Sequence, residues 1–223
     1  MKIISIIPAR GGSKEIYLKN LRKVFNKPLL DYSVNASLKS KFIKRTFVSS
    51  DHKKIIHRAQ KLGSEIIVRP KKISTNSASI ESAIQHCLNH LERHENYIPD
   101  IIVLLQNTTP LRKTEHIDNA IKKFLKTDYD SLLSGFSSHH FFWNKINDHV
   151  IPKNYNPKKR PNRQKFKNQF IENGAIYITT FSAFQRSKCR ISGKIGMYEM
   201  PEIFSMDIDT EQDLKKIHNL FKK

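Results

Sequence analysis

Arg10, Lys14 and Lys19 stand close together beside the pair Gly11-Gly12 and Ser13, and Glu15 is the lone acid among them. The apolar run at residues 3–7 leads into this loop and predicts a buried strand. Glycine lacks a Cβ and tolerates positive φ, so a Gly-rich loop after a strand lets backbone N–H groups approach phosphate oxygens. The cations would neutralise a polyanion such as a nucleoside triphosphate. The spacing is neither GxxxxGK[ST] nor GxGxxG, so the loop points to phosphate without specifying the chemistry.

Near the other end of the chain, Asp207 and Asp209 flank Ile208. In an extended segment residues i and i+2 point the same way. Two carboxylates on one side are hard oxygen ligands suited to Mg²⁺, which keeps several waters and bridges to phosphates. The plainer reading is a turn in which Asp209 helps cap the last helix. Residues 104–112 (LLQNTTPLR) end an apolar strand in polar groups. Gln106 and Thr108 there can orient a ligand or merely form a strand-to-helix turn. Arg163 and Gln164 lie in a basic stretch ahead of Asn173 and Tyr177. An arginine in such a stretch can clamp a carboxylate bidentately; the alternative is a solvated face or lid. His86, His90 and His94 recur along one helix face, but no carboxylate-rich partner accompanies them, and a solvated face is the better reading. His139-His140 sit among aromatics and read as packing residues.

These groups need a scaffold. Strands are expected at residues 3–7, 46–49, 66–68, 101–105, 131–136 and 173–179. Helices are expected at 28–37, 53–62, 77–95, 114–125 and 210–221. Asp51 and Thr114 are expected to cap the helices that follow them, Gly63 to end the second helix, and Thr210 with Asp213 to form a capping box. Alternating strands and helices predict an α/β fold with a doubly wound, mostly parallel sheet, whose ligands bind at the C-terminal strand ends. The pattern breaks at residues 137–171, where an aromatic, strand-like piece at 139–147 precedes a basic, Pro/Asn-rich piece at 152–167. This region reads as an insertion without a core of its own, stabilised by packing on the main domain or on a second subunit.

Composition narrows the class. A chain of 223 residues fits one α/β domain. No stretch is long and apolar enough to span a membrane, and two cysteines without CxxC suggest a reduced, cytoplasmic protein with no membrane partner. The 40 Lys and Arg against 20 Asp and Glu give a net charge of +20, which fits anionic substrates, nucleic acid or simply a lysine-rich proteome. Seven cations and no acids at 153–167 are the densest excess. No nucleic-acid-binding motif is present, so a nucleic-acid partner is not expected.

Taken in order, IIPARGGSK with LKNL, FVSSD, VRP at 68–70, LLQNTTPLR, RQ before ENGAIYI, and MDIDTEQD resemble the acylneuraminate cytidylyltransferases. The matching segments run from end to end. The resemblance implies a single domain over residues 1–223 with a Rossmann-like fold of the nucleotide-diphospho-sugar transferase type, and a homodimer formed through the inserted element. It implies a reaction of CTP with a sialic-acid-like nonulosonic acid, giving a CMP-sugar and pyrophosphate. Kdo-type acids or sugar 1-phosphates are the alternative substrates, and a basic nucleic-acid-binding module is the remote alternative.

By motif match Arg10, Ser13 and Lys14 would cradle the triphosphate, Lys19 would stabilise charge near the α-phosphate, and Asn20 and Arg69 would hold the nucleotide. Asp207 and Asp209 would carry Mg²⁺, with Asp209 also accepting the proton. Gln106, Arg163, Gln164, Asn173 and Tyr177 would line the sugar side. The sequence departs from the family pattern at Glu15, Tyr17, Asn76, Ile80, Asn107, Thr109 and Arg190-Ile191.

Overall fold

The computed structural model describes residues 1–13, 15–162, 164, 166 and 169–220. Five strands of the central sheet come from the apolar runs: β1 (Ile3–Pro8), then, after a short pair β2 (Lys23–Val24) and β3 (Lys27–Pro28), β4 (Arg45–Ser50), β5 (Glu65–Val68), β6 (Ile101–Leu105) and β7 (Ser131–Ser137). A separate hairpin follows, β8 (Trp143–Ile146) and β9 (His149–Pro152), before β10 (Phe170–Thr180) and β11 (Ile195–Glu199). The helices are α1 (Leu29–Leu38), α2 (Lys53–Lys61), α3 (Ile80–Glu95), α4 (Thr114–Leu125), α5 (Phe181–Ser187) and α6 (Glu211–Leu220).

The seven-stranded sheet has the order β11-β7-β10-β6-β1-β4-β5, and β10 alone runs antiparallel to its neighbours. The strand period divides the core in two. Ile101, Val103 and Leu105 join residues of α1, α2 and α4 on one face. Ile102 and Leu104 join α3 and α5 on the other. That is why residues 101–105 are apolar without alternation: both faces are covered. β1 lies between β6 and β4, so the chain leaves it in opposite directions. The crevice outside the C-terminal ends of β1 and β6 is therefore the switch point at which such sheets bind ligands.

A third cluster has a different task. Ile16, in the loop after β1, packs with Ile208, Val24, Leu29, Leu214 and Ile217. Ile208 is fully buried, while Asp207 and Asp209 on either side of it turn into that crevice. One apolar contact set thus brings the Gly-rich loop and the paired carboxylates to one end of the sheet, although most of the chain separates them.

Several expected details are corrected. The cap of α2 is His52, whose ring accepts the Lys54 N–H at 3.2 Å. Asp51 is engaged elsewhere, accepting the Gly11 N–H at 2.9 Å. Lys113 occupies the cap position of α4, and Thr114 Oγ1 instead donates to the Ala36 carbonyl. α3 starts at Ile80, with Ser79 accepting from the Ser82 N–H. Gly63, at φ +90°, does follow the end of α2. The Thr210 N–H donates to the Asp213 carboxylate at 3.0 Å and the Thr210 hydroxyl accepts the Asp213 N–H at 3.3 Å, as a capping box requires. The strand expected at 139–147 is confined to β8 and pairs with β9 rather than with the main sheet. β10 pairs with β7 from Phe170 onward, so the excursion from the sheet spans residues 138–169. It carries an aromatic stack of Phe141, Tyr155, Trp143 and Phe166, with Arg160 over the Phe141 ring at 4.3 Å. Among the described residues no helix is long and apolar enough to cross a membrane.

Candidate active site

A cleft of about 350 Å³ opens at the switch point. Seven of the residues singled out from the sequence line it: Arg10, Lys19, Asn20, Arg69, Gln106, Asp207 and Asp209. Each owes its place to a strand end or to a loop pinned by the core. Arg10 and Asn20 bracket the loop after β1. Asn20 is nearly buried and donates to the Arg10 carbonyl at 2.9 Å, closing the loop on itself. Arg69 follows β5, buried; its guanidinium donates to the Ser49 hydroxyl at 3.1 Å and to the Ser49 carbonyl at 2.7 Å. Burial lowers its pKa, partly opposed by Asp51 and Cys87.

Lys19 and the carboxylates meet at one end of the cleft. Lys19 Nζ lies 2.7 Å from Asp209 Oδ1 and 3.1 Å from the Ile208 carbonyl. The Asp207 carboxyl is held above the usual carboxylate range, first because the cleft walls crowd water from it, then by the charge of Asp209. A hydrogen bond from Thr108 and the Lys19 charge oppose that rise. Thr108 also accepts the Ile208 N–H at 2.8 Å on its carbonyl, so it fixes the carboxylate segment twice. Asp207 and Asp209 could hold a divalent cation: two hard oxygen donors from one short segment are what Mg²⁺ takes from a protein, the other positions going to water and phosphate.

Other expected residues lie elsewhere. The Asn173 carboxamide is used up inside the protein: it accepts from Ser134 Oγ at 2.6 Å and the Ala175 N–H at 3.1 Å, and donates to Ser205 Oγ at 2.9 Å. Tyr177 points into the core beneath α3 and α5, its hydroxyl donating to Glu172 and its ring lying under Arg190 at 4.8 Å. That burial, with Glu172 beside it, pushes the phenol pKa up. Gln164 is exposed and Ser13 half-buried, and neither lines the cleft. Lys14 and Arg163 lie outside the described residues. Glu15 is exposed while Ile16 beside it is buried, which turns the lone acid of the loop outward. Of the Gly-rich loop's amides, that of Gly11 is committed to Asp51. Gly11 is needed for packing as well, since a Cβ there would meet His52 Cβ at 2.7 Å.

Asn76, Ala78, Ser79 and Ile80 form the wall of the cleft on the approach to α3, and Asn107 and Thr108 lie beside Gln106. Asn107 Nδ2 donates to the Pro8 carbonyl at 3.2 Å and to Asn20 Oδ1 at 3.0 Å, tying β6 to β1 across the switch point. Arg112 braces the same region. Its buried guanidinium donates to the carbonyls of Gln106 at 3.0 Å and Ala175 at 2.8 Å and to Ser33 Oγ at 2.6 Å. Among the described residues no carboxylate pairs with it, and burial pulls its pKa down to about 9.

Gly174 fits the β10 irregularity against this region. It sits at φ +68°, and an added Cβ would lie 2.6 Å from Gln106 Oε1. Gly174→Ala is expected to cost about 1–2 kcal/mol from the left-handed backbone alone. Urea unfolding measures it; an unchanged midpoint would contradict the strain argument.

The doubly wound sheet and its cation-lined cleft place this chain among the Rossmann-like α/β proteins that bind ligands at strand ends. The chain belongs to the cytidylyltransferase family, which it matches over residues 4–223. N-acylneuraminate cytidylyltransferase B of Danio rerio is 34% identical over 213 residues, covering 94% of this chain and 49% of the relative. An N-acylneuraminate cytidylyltransferase of Streptococcus agalactiae is 30% identical over 219 residues, covering 96% and 52%. The chain thus spans about half the length of the curated relatives it matches. A CMP-2-keto-3-deoxy-manno-octonic acid synthetase complexed with CTP has the same fold, with a TM-score of 0.69 at 15% identity over 99% of this chain and 98% of that one.

Proposed function

We propose that this chain joins CTP to a sialic-acid-like nonulosonic acid, releasing pyrophosphate. One observation carries the reading: Lys19, Asp207 and Asp209 converge at the switch-point cleft, with Arg10 and Arg69 along the same cleft. Family membership and the names of the 30–34% identical relatives support it. In the reaction the sugar's anomeric hydroxyl oxygen bonds to the α-phosphorus, and the bond from that phosphorus to the pyrophosphate oxygen breaks. The hydroxyl proton passes to the Asp209 carboxylate. Charge grows on the phosphate oxygens, so fixed cations act where it accumulates. Lys19 serves the reacting phosphorus; Arg10, with Ser13 and Lys14 by resemblance, serves the departing pyrophosphate. Asn20 and Arg69 hold the nucleotide, and Gln106 faces the sugar. Arg163 and Gln164 stay assigned to the sugar side by resemblance alone, as do Asn173 and Tyr177, whose polar groups are bonded inside the protein.

Asp207 and Asp209 would hold Mg²⁺, which when bound supplies a Lewis acid for the phosphate oxygens and lowers the pKa of a coordinated hydroxyl. Calorimetry with CTP, UTP and GTP tests the nucleotide: CTP should bind at least tenfold more tightly, and a preference for UTP or GTP would overturn the reading. The location is read as cytoplasmic, with Cys87 and Cys189 both free thiols.

The active form is read as a homodimer built through the β8–β9 hairpin. Phe142, Trp143, Ile146, Val150 and Ile151 are 40–56% exposed there, and the pairing register puts Trp143 and Val150 on one face of the hairpin and Ile146 and Ile151 on the other, apolar surface of the kind that marks an interface. Val150→Asp is expected to shift the protein to monomers in light scattering. A dimer of undiminished affinity would exclude the hairpin from the interface.

A further inference from the structure

Resting on that reading, we propose that Lys19 is a tethered stand-in for the metal, occupying the carboxylate site until the nucleotide brings its own cation. The Lys19 ammonium touches two hard oxygens at once, Asp209 Oδ1 at 2.7 Å and the Ile208 carbonyl at 3.1 Å. These are oxygens of the segment that would receive a divalent cation. The side chain is only 15% exposed, whereas Asp209 is 63% exposed, so the lysine reaches the carboxylate from the protein side, held there by its surroundings. The surroundings fix the arrangement. Ile16 and Ile208 pack in one apolar cluster, Thr108 holds the Ile208 amide, and Asp213 accepts the Asp209 N–H at 3.3 Å.

A divalent cation arriving alone must therefore meet a positive charge already on its ligand. Two unit charges that close repel substantially even near a protein surface. A cation arriving with a triphosphate meets a different balance. The phosphates offer Lys19 a new anionic partner, and the lysine can leave Asp209 without losing its counter-charge. The same side chain thus blocks the metal when the nucleotide is absent and turns to the reacting phosphorus when it is present. Binding is ordered as a consequence: metal and nucleotide enter together, and the free protein takes up little metal. Removing Lys19 should then have opposite effects on two quantities, tightening metal binding while slowing turnover.

The probe is Mn²⁺, titrated by calorimetry and electron paramagnetic resonance into the nucleotide-free full chain. Lys19→Met should bind Mn²⁺ about tenfold more tightly than the wild type, and Lys19→Arg, which keeps the charge, should bind it as weakly as the wild type. Circular dichroism on the same samples checks that the variants are folded. Equal or weaker Mn²⁺ binding by folded Lys19→Met overturns the proposal. The parent reading is tested separately with Asp207→Asn/Asp209→Asn. If that variant binds the Mn·CTP complex as tightly as the wild type, the carboxylates are not the cation site, and the metal assignment falls together with the stand-in role. If it binds weakly while Lys19→Met gains nothing, only the stand-in role is lost.

Discussion

Asp207→Asn should lower kcat by about 10³-fold while making the ligand-free protein more stable. The loss follows from its place. Asp207 is the more crowded of the two carboxylates, fixed by Thr108, and an amide oxygen is a poorer ligand for a hard cation. Removing one preorganised electrostatic group of this kind costs about 10²–10³-fold, and loss of the cation would put the effect at the upper end. The gain in stability follows from the sign of its pKa shift. The folded pKa lies above the unfolded one, so this carboxyl favours folding at low pH. That contribution is lost as pH rises through the folded value. Near neutral pH the ionised group opposes folding, and the uncharged amide relieves it. Thermal unfolding at pH 7 and at pH 4 checks this: the advantage of Asp207→Asn should be larger at pH 7. A variant no more stable than the wild type at pH 7 would mean that crowding and Asp209 do not govern Asp207.

Lys19→Ala should reduce kcat by about 10²–10³-fold with a much smaller change in the KM for CTP. The reasoning separates it from Arg10. Lys19 contacts the carboxylate segment, at the end proposed to hold the reacting phosphorus, whereas Arg10 donates to the Thr75 carbonyl at 2.6 Å. A group that acts mainly as charge develops on the phosphorus lowers kcat, and one that holds the ground-state nucleotide raises KM. Steady-state kinetics at saturating sugar distinguish the two. Wild-type turnover in Lys19→Ala would remove this lysine from the chemistry.

The parts legible in the sequence were those governed by local pattern. The run at 101–105 is apolar without interruption, and that at 3–7 is broken only by the buried Ser5, because helices cover both faces of their strands. The spacing Asp207-Ile208-Asp209 puts both carboxylates on one side, and Ile208 between them is fully buried. Details settled by distant partners were not legible. Asp51 has the chemistry of a helix cap, but the Gly11 N–H, forty residues away, takes its carboxylate and leaves the cap to His52. Asn173 and Tyr177 are placed on the sugar side by the resemblance of ENGAIYI to the family motif, not by any local pattern. The irregular pairing of β10 with β7 between Glu172 and Tyr177 turns Asn173 onto Ser134 and Ser205. Strand β11 escaped notice because an edge strand reading IGMYE offers a weak alternation. Asn107 and Arg112 were visible as residues of a motif, but their work is to hold carbonyls of other strands, which no spacing announces.

The most direct test of the account is pyrophosphate release by the purified chain, with CTP and Mg²⁺, across a panel of nonulosonic acids and Kdo. The account predicts release that requires CTP, Mg²⁺ and a sialic-acid-like acid together, and that disappears in Asp207→Asn. Release supported by Kdo or a sugar 1-phosphate alone, or none above background with any nonulosonic acid, would contradict it.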